Sequence, residues 1–493
     1  MTRVERRLPL LVMSGVVVMA LLRLWVAHAA ELIPEEAYYW TYFAHPALSY
    51  FDHPPAVAWI IAPGVRLFGD TAFGVRLGAM GLSLASAALT FDLARRWVGS
   101  QAAWWAVALF TLLPVFLVSG MLALPDASQT FCTLLTMLGV TMAVKDDRAL
   151  GWLWAGVGFG GALLSRYTAV MLAPSVLALL LVTPAYRHWL RRPHPWLSFG
   201  FGVCLFTPVI LWNSQHAWAS FRFQGARLGL PAGAIALSAS MFWVNQIAAV
   251  TPPGLLLFGS ALRRRDAAGM FAACFGAPLF AVFVLASFST DVHIDWTAPA
   301  YLALLPVAAA LLRERFAQSA HWRRTVWLTG AVIAGGVCLA TSTLTLGHPD
   351  VLLSSHLGGW QPLAAEVEHA KQQLHARTGQ APFVVGADKY NLAAELGFYM
   401  RAPNDTVNTL ALGGDGLGFR YWTDLQRFVG RPAVIVLRAS DASWLDRLPQ
   451  YFDTVEAPRR VDTATLGSGT RVVYMVTALG YRIPRDDQRD AAR

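Results

Sequence analysis

Charged residues are scarce in this chain, and their scarcity limits its class. Only 14% of its 493 residues are charged, 56% are hydrophobic, and mean hydropathy is +0.45. Soluble domains carry about 25% charged residues, so a string of soluble domains is excluded. The repeated apolar runs of roughly 18 to 25 residues suit membrane-spanning helices, since barrel strands are about 10 residues long and alternate. The composition predicts a polytopic α-helical membrane protein.

Cysteine is also rare, and several common site motifs are missing. All four cysteines lie inside apolar segments without paired spacing, which indicates neither a disulfide framework nor a thiolate metal site. They are Cys132, Cys204, Cys274 and Cys338. Nor is there a glycine-rich phosphate loop, because Gly413–Gly416 follows no clear strand. The sequence shows no internal repeat and no low-complexity tract.

Eleven helical spans are predicted from the apolar runs. They lie near residues 8–29, 74–94, 101–120, 127–144, 150–164, 168–184, 197–212, 236–262, 268–288, 297–312 and 325–346. The first is expected to be a retained helix instead of a signal peptide, because its apolar run continues to about Ala30. Arg23 within it is expected to face other helices. The short runs flanking Arg166 could alternatively form one re-entrant pair.

Basic residues form short clusters between the spans, so the excess of 39 Lys and Arg over 30 Asp and Glu does not indicate a nucleic-acid partner. The clusters occupy alternate connections, which the positive-inside rule places in the cytoplasm together with the N-terminus. They are Arg3/Arg6/Arg7, Arg95/Arg96, Lys145/Arg148, Arg187/Arg191/Arg192, Arg263–Arg265 and Arg313/Arg315/Arg323/Arg324. The opposite connections, and everything beyond Gly347, are therefore predicted to lie outside.

The composition changes to that of a soluble domain near Gly347. We therefore predict a transmembrane domain over 1–346 and a C-terminal soluble α/β domain over 347–493. Helical periodicity indicates helices over 360–377, 391–399 and 422–428, and short apolar runs indicate strands at 382–386, 433–437 and 471–476.

The segment from Pro34 to Pro55 has the most unusual composition. It reads PEEAYYWTYFAHPALSYFDHPP. Glu35 and Glu36 lie among aromatic residues, including Tyr39, that would suit the headgroup region of a membrane. A carboxylate there could serve as a general base, although a solvated acidic pair would show the same pattern. Asp52 and His53 precede a stiff diproline, for which a plain turn is the alternative.

Further candidate residues lie in the other outer connections. Asp126 begins the fourth span, where it could cap a helix or carry a function. Guanidinium groups suit phosphate, and ordinary headgroup contact is the alternative; the candidates are Arg166, beside Tyr167, and Arg222 and Arg227. His293 could join other outer histidines at a divalent metal, but no spacing such as HExxH supports this minor alternative.

Several short motifs together resemble one known family. They are EEAYYW, YFDHPP, FGDTAFGVRL, LPDA at 124–127, SRYTAV at 165–170 and WNSQHAWASFRFQ at 212–224. Their order and loop placement are similar to those of bacterial dolichyl-phosphate-mannose-protein mannosyltransferase-like glycosyltransferases. These belong to the C-type superfamily, which also holds the aminoarabinose transferases of lipid A.

The resemblance implies an enzyme of the bacterial inner membrane that transfers a sugar from a polyprenyl phosphate, normally with inversion and without a nucleotide site. The acceptor would be a lipid, glycan or protein at the outer, periplasmic face. The first-loop Asp-Glu of the family falls on Glu35 and Glu36, so the first acid differs here. Its second acid falls on Asp126. The position before the diproline, often Lys in the aminoarabinose branch, is His53.

We therefore expect direct displacement at the anomeric carbon. Glu35 or Glu36 would activate the acceptor hydroxyl, and Asp126 would orient a substrate in the same pocket. The donor phosphate would be held by residues among His53, Arg166, Arg222 and Arg227. Further substrate contacts would come from Tyr39, Asp52, Tyr167 and His293.

Two alternatives belong to other functional classes. A transporter or flippase of lipid-linked sugar would typically show paired repeats and polar residues near the midplane, whereas the acids here cluster at one interface. A structural or assembly protein could bind partners through the helix at 360–377, but it would leave the loop acids without a role.

Overall fold

The computed structural model describes residues 3–226, 235–346, 358–464 and 470–484. The chain forms two compact units, and neither is continuous in sequence. The first comprises Met1–Trp25, Leu48–Ile61 and Arg76–Gly336, and the second comprises Val26–Ala47, Ala62–Val75 and Val337–Arg493. The segment with Glu35 and Glu36 thus belongs to the same unit as the C-terminal sequence.

Helices make up the chain as far as Leu346. They are α1 (Arg3–Ala29), α2 (Pro34–Ala44), α3 (Ala56–Phe68), α4 (Ala72–Val98), α5 (Ser100–Leu112), α6 (Pro114–Ser119), α7 (Pro125–Asp146), α8 (Leu150–Leu163), α9 (Leu172–Val182), α10 (Pro193–Leu205), α11 (Thr207–Gln215), α12 (Ala219–Ala226), α13 (Ile235–Ala261), α14 (Ala267–Ala286), α15 (Ala298–Gln318) and α16 (Ala320–Leu346). Two 3₁₀ segments, Tyr167–Met171 and Pro184–Arg191, flank α9.

The chain is a membrane protein by the length and composition of its helices. Among the described residues, 6 helices could cross a membrane, or up to 8 if each of two bent pairs is one span. All the predicted spans fall on helices, but several are short or broken, so the count of eleven stays a prediction. Proline causes some of the breaks: it lacks the N–H that continues a helix, as at Pro114 between α5 and α6.

The first unit is held together by close helix packing. A Cβ atom on Gly139 of α7 would lie 2.4 Å from the backbone nitrogen of Ala155 in α8. Small residues allow helices in a membrane to approach this closely. Arg23 in α1 is buried, and its guanidinium donates to the Ser83 hydroxyl at 2.8 Å and to the Phe116 carbonyl at 3.2 Å. The prediction that Arg23 faces other helices is confirmed.

The second unit contains a mixed sheet and three further helices. These elements are α17 (Trp360–Thr378), β1 (Phe383–Gly386), α18 (Asn391–Tyr399), β2 (Thr406–Val407), β3 (Ala433–Leu437), α19 (Leu448–Tyr451), β4 (Phe452–Val455), β5 (Arg459–Ala464) and β6 (Thr470–Tyr481). The strand order is β2-β1-β3-β6-β4, with β5 also paired to β6. Strand β1 is parallel to β2 and β3, and β6 is antiparallel to its neighbours.

The C-terminal sequence therefore contains the predicted combination of helices and strands. Strands β1 and β3 are buried on both faces, which explains their uninterrupted apolar sequences. The predicted helix over 422–428 is wrong in length, because only a 3₁₀ turn over Leu425–Phe428 forms there. The domain boundary at 346/347 stays a prediction, and residues 347–357 lie outside the described residues.

Candidate functional site

A partly buried ionic network joins three helix junctions of the first unit. One terminal nitrogen of Arg166 donates to Asp126 Oδ2 at 2.5 Å and to Asp295 Oδ2 at 2.8 Å. The Asp126 side chain is only 2% exposed. Asp126 lies in the first turn of α7, Arg166 in the extended break after α8, and Asp295 shortly before α15. Three helix junctions thus bring these charges together.

The structure contradicts one of the two roles considered for Asp126, that of a helix cap, and its functional role stays a prediction. Leu124 occupies the N-cap position of α7, and no side-chain cap bond is present there. Asp126 instead engages Arg166. Burying ions costs several kcal/mol each before pairing compensates, and leaving one unpaired costs more. Placing two carboxylates at one guanidinium therefore has a high desolvation cost. Ionisable groups retained at such a cost in membrane proteins are often functional.

The diproline segment packs against α12 in the same unit. The Ser220 hydroxyl donates to the Tyr50 carbonyl at 3.1 Å, and the Gln224 amide donates to the Asp52 carbonyl at 2.8 Å. The rings of Phe51 and Phe223 are 4.6 Å apart. Asp52 is buried and His53 is half-buried. These contacts hold the Asp52–His53 dipeptide in one position, whereas a turn without tertiary contacts would be less constrained.

The remaining predicted substrate and phosphate contacts of the first unit have separate surroundings. The Tyr167 ring packs 5.4 Å from Phe221 of α12. Arg222 is exposed on the same helix. His293 is exposed and stacks on Trp296 at 5.2 Å. Arg227 lies outside the described residues. Within the described ranges, no group of three or more His, Cys, Asp or Glu residues is placed to hold a metal ion.

Glu35 and Glu36 have different environments within the second unit. Glu36 is fully buried, and its Oε2 accepts the backbone N–H of Ile33 at 3.2 Å, as expected of an acid at the third position of a helix. Glu35 is exposed, and its Oε1 accepts the Tyr390 hydroxyl at 3.3 Å. Glu35 is therefore the more accessible carboxylate. The predicted grouping of these acids with Asp126 stays a prediction.

The aromatic residues after Glu36 are part of a packed core. Tyr38 and Trp40 are each 2% exposed and Tyr39 is 7% exposed. The Tyr38 ring lies 4.7 Å from that of Tyr390, and the Trp40 indole donates to Asp70 at 2.7 Å. These side chains are buried against other residues of the second unit, and their predicted place in the headgroup region stays a prediction.

Asp295 and Tyr390 were not among the candidate site residues from sequence. Asp295 lies in the segment Asp291–Trp296, of which only His293 was predicted as a site residue. Tyr390 was the nearest candidate of the C-terminal domain, at a strand-to-helix turn where a plain surface turn was the favoured alternative. Both residues form hydrogen bonds with predicted site residues that are distant in sequence. Asp295 accepts from Arg166 across 129 positions, and Tyr390 donates to Glu35 across 355 positions.

Comparison with known proteins supports the resemblance drawn from the motifs. Residues 52–212 match the model of the dolichyl-phosphate-mannose-protein mannosyltransferase family. The matched range contains Asp52, His53, Asp126, Arg166 and Tyr167, whereas Arg222, His293 and Asp295 lie beyond it.

Two relatives carry sugar-transferase names. The lipid A galacturonosyltransferase RgtD of Rhizobium johnstonii is 23% identical over 76% of this chain and 78% of its own length. The undecaprenyl phosphate-alpha-4-amino-4-deoxy-L-arabinose arabinosyl transferase of Pseudomonas aeruginosa is 29% identical over 31% of this chain. That match spans only 28% of the Pseudomonas protein.

The overall fold is similar to that of ArnT from Cupriavidus metallidurans. Its structure in the apo state matches with a TM-score of 0.63, and its structure bound to undecaprenyl phosphate with 0.64. Each comparison covers 94% of this chain and 97% of the other, at 17% identity. This similarity shows a shared fold across nearly the whole chain, and the family resemblance predicted from short motifs is confirmed.

Proposed function

We propose that this chain is an inverting glycosyltransferase that moves a sugar from a polyprenyl phosphate to a hydroxyl acceptor. The observation that carries the proposal is the partly buried Asp126–Arg166–Asp295 network. The names of the relatives favour an undecaprenyl-phosphate-linked sugar as donor and lipid A as the first acceptor to test. Another glycolipid, a polysaccharide or a protein is a further acceptor class.

The charge balance of the network suits glycosyl transfer. It contains two acids and one base, so its ionised form has an excess of negative charge. Breaking a glycosidic bond places positive charge on the sugar ring in the transition state. Fixed negative charge in a poorly solvated site would stabilise that charge without reorganising. In this proposal Asp126 faces the donor sugar, and Arg166 holds both carboxylates in position.

Glu35 is the proposed general base. It is exposed, whereas the Glu36 carboxylate is buried at the start of α2. A base must reach the acceptor proton, at hydrogen-bond distance or through one water. Exposure and the Tyr390 contact therefore favour Glu35 for removing the proton from the acceptor hydroxyl. The anomeric carbon then bonds to that oxygen as its bond to the donor phosphate breaks.

The donor phosphate needs positive or N–H groups. Guanidinium groups offer forked donors to phosphate, and Arg222 is exposed on α12, so we assign phosphate binding first to Arg222, with His53, Arg166 and, from sequence, Arg227 as the further predicted contacts. Asp52, Tyr167 and His293 remain proposed substrate contacts of the first unit, and Tyr39, being buried, is proposed to support α2.

The proposed location is the bacterial inner membrane, crossed by eleven spans, with the N-terminus in the cytoplasm and the C-terminal domain in the periplasm. Alternating basic clusters support this orientation. The test is a single cysteine at Leu48, which is 48% exposed, in a chain without its native cysteines. It should react with an impermeant thiol reagent in spheroplasts with an intact inner membrane. Reaction only after permeabilisation would reverse the orientation.

The function is tested with purified protein, labelled undecaprenyl-phosphate sugars and lipid A. Wild type should form labelled product, and Glu35→Gln and Asp126→Asn should each lower the rate by at least about 100-fold, as expected for loss of acid-base catalysis or charge stabilisation. Glu36→Gln is the matched control, because glutamine can still accept the Ile33 N–H.

Two outcomes would contradict the proposal. Movement of lipid-linked sugar across vesicles by wild type, with no product from any donor and acceptor pair, would indicate a transporter. Full activity of folded Glu35→Gln and Asp126→Asn proteins would refute the assignment of these residues while leaving the activity itself intact.

A further inference from the structure

An apolar cavity of about 320 Å³ lies in the first unit among α7, α8, α9 and α10. Its walls are almost entirely hydrocarbon and include Val140, Phe159, Leu177 and Phe199. The volume falls within the range of roughly 300–1,000 Å³ typical of small-molecule sites. A lining of this kind suits an alkyl chain better than a sugar or an ion.

The cavity begins well along α7 from Asp126. Its α7 lining residues Thr136 and Val140 follow Asp126 by 10 and 14 positions, which is about 15 and about 21 Å along a helix that rises about 1.5 Å per residue. Asp126 lies at the N-terminal end of α7 and Lys145 at the other end. The cavity is therefore nearer the membrane surface that carries the basic connections.

The rim of the cavity is basic. The chain leaves the cavity wall at Leu190 and returns to it at Pro195, and between them Arg191 and Arg192 are exposed. The guanidinium of Arg192 lies 4.8 Å from the centre of the Trp189 ring. The segment carrying these residues turns by 118° from α9, so it does not continue across the membrane and would lie along its surface.

Three buried nitrogen atoms near the rim have no hydrogen-bond partner among the described residues. They are Nε1 of Trp152, Nε1 of Trp189 and Nδ1 of His194. Trp152 lines the cavity and is 3% exposed, and Trp189 is 1% exposed. Their rings are 5.6 Å apart, and His194 packs 5.8 Å from Trp189. Buried N–H groups are usually satisfied, so this cluster indicates an acceptor supplied from elsewhere.

We propose that this cavity binds an anionic diacyl phospholipid of the leaflet that contacts the basic connections. One acyl chain would fill the cavity, the headgroup phosphate would bind Arg191 and Arg192, and an ester carbonyl would accept from the N–H of Trp152, which lines the cavity. Anionic headgroups attract basic residues at a membrane surface. A polyprenyl phosphate has no ester carbonyl to offer the buried donors, which favours a phospholipid over the donor lipid.

The test uses the full chain, purified in a neutral detergent and examined by native mass spectrometry with added phosphatidylglycerol, phosphatidylcholine or undecaprenyl phosphate. One phosphatidylglycerol should bind at least tenfold more tightly than phosphatidylcholine. Leu177→Trp narrows the cavity from a partly exposed lining position, and Arg191→Gln with Arg192→Gln removes the rim charge. Each variant should weaken phosphatidylglycerol binding at least tenfold.

The controls make the same chemical changes elsewhere. Leu197→Trp adds an indole at an exposed position of α10 outside the lining, and Arg263→Gln with Arg265→Gln removes two exposed charges from another basic connection. Both should bind phosphatidylglycerol like wild type. Equal binding of the two phospholipids, equal losses in the control variants, or tighter binding of undecaprenyl phosphate at this cavity would overturn the proposal.

Discussion

The hydroxyl of Tyr390 donates a hydrogen bond to Glu35 Oε1 across 3.3 Å, joining residues separated by 355 positions. The Tyr390 ring also packs 4.7 Å from that of Tyr38, one turn further along α2. The C-terminal sequence thus contributes directly to the surroundings of the proposed base.

Replacing Tyr390 by Phe should lower the transfer rate about fivefold. A hydrogen bond of this kind contributes about 1 kcal/mol net. Without it, the Glu35 side chain would spend less time in the orientation needed for proton removal. The measurement is kcat and KM for transfer over pH 5–9. We expect the loss in kcat at every pH, with KM little changed.

Tyr399→Phe is the control for that variant. The Tyr399 hydroxyl accepts the Leu32 N–H at 2.8 Å and lies at the opposite end of α18 from Tyr390, so its loss should affect stability more than kcat. If Tyr390→Phe and Tyr399→Phe change only stability and leave kcat at the wild-type value, Tyr390 does not position Glu35.

Removing Arg166 should destabilise the first unit more than removing it together with Asp126. Arg166→Gln leaves two carboxylates without their guanidinium, which costs about 3–5 kcal/mol for a broken buried pair. Adding Asp126→Asn removes one of these charges and should recover part of that loss. The two variants would be compared by thermal unfolding in detergent; equal unfolding temperatures would show that the carboxylates do not depend on Arg166.

Asp388 should make the second unit less stable as pH rises from about 4 to 6. Burial raises the pKa of this carboxyl to about 6, although the nearby Arg438 opposes the shift. The ordinary pKa of Asp is about 3.9, so between these values the folded state binds the proton that the unfolded state has lost. Stability therefore falls through this window and levels off above it.

Asp388→Asn should remove this pH dependence, because asparagine can still accept the Leu392 N–H but does not ionise. The difference in unfolding free energy between variant and wild type should change by about 2–3 kcal/mol from pH 4 to pH 7, at 1.36 kcal/mol per pKa unit. A constant difference across that range would show that Asp388 titrates normally.

Gly139→Ala should loosen the packing of α7 on α8. The added methyl would meet the Ala155 nitrogen at 2.4 Å, and overpacking of this kind typically costs about 1–3 kcal/mol. Gly200→Ala is the matched control, since no atom lies within 4 Å of its added Cβ. The unfolding temperature of Gly139→Ala should fall while that of Gly200→Ala should not; two unchanged values would contradict the close approach.

Elements with a regular apolar pattern were predicted well from the sequence. The predicted bounds of α18 and β3 equal the observed ones, because the apolar pattern of each stops at the residues where the element ends. The family motifs identified Asp126 and Arg166 as candidate site residues. The ion pair between them was not predicted, since it depends on how three helix junctions meet.

Contacts between distant residues were the part that sequence reasoning missed. Asp295 and Tyr390 lie in short irregular segments, where neither periodicity nor a motif indicates a partner. The aromatic residues after Glu36 have the composition of an interfacial segment, and only their tertiary packing shows that they are buried. The break at Pro114 likewise divides the apolar run that was predicted from hydropathy as one span over 101–120.

The discontinuous second unit has a consequence for biosynthesis. The segment with Glu35 emerges first, yet its partner Tyr390 is synthesised 355 residues later, roughly 20–70 s at about 5–20 residues per second. During that interval the tyrosines of α2 lack the aromatic partners that the C-terminal sequence supplies, such as Tyr390 for Tyr38. A chain that stops before Tyr390 would leave this aromatic surface partly uncovered, so synthesis must pass Tyr390 before the proposed base acquires this neighbour.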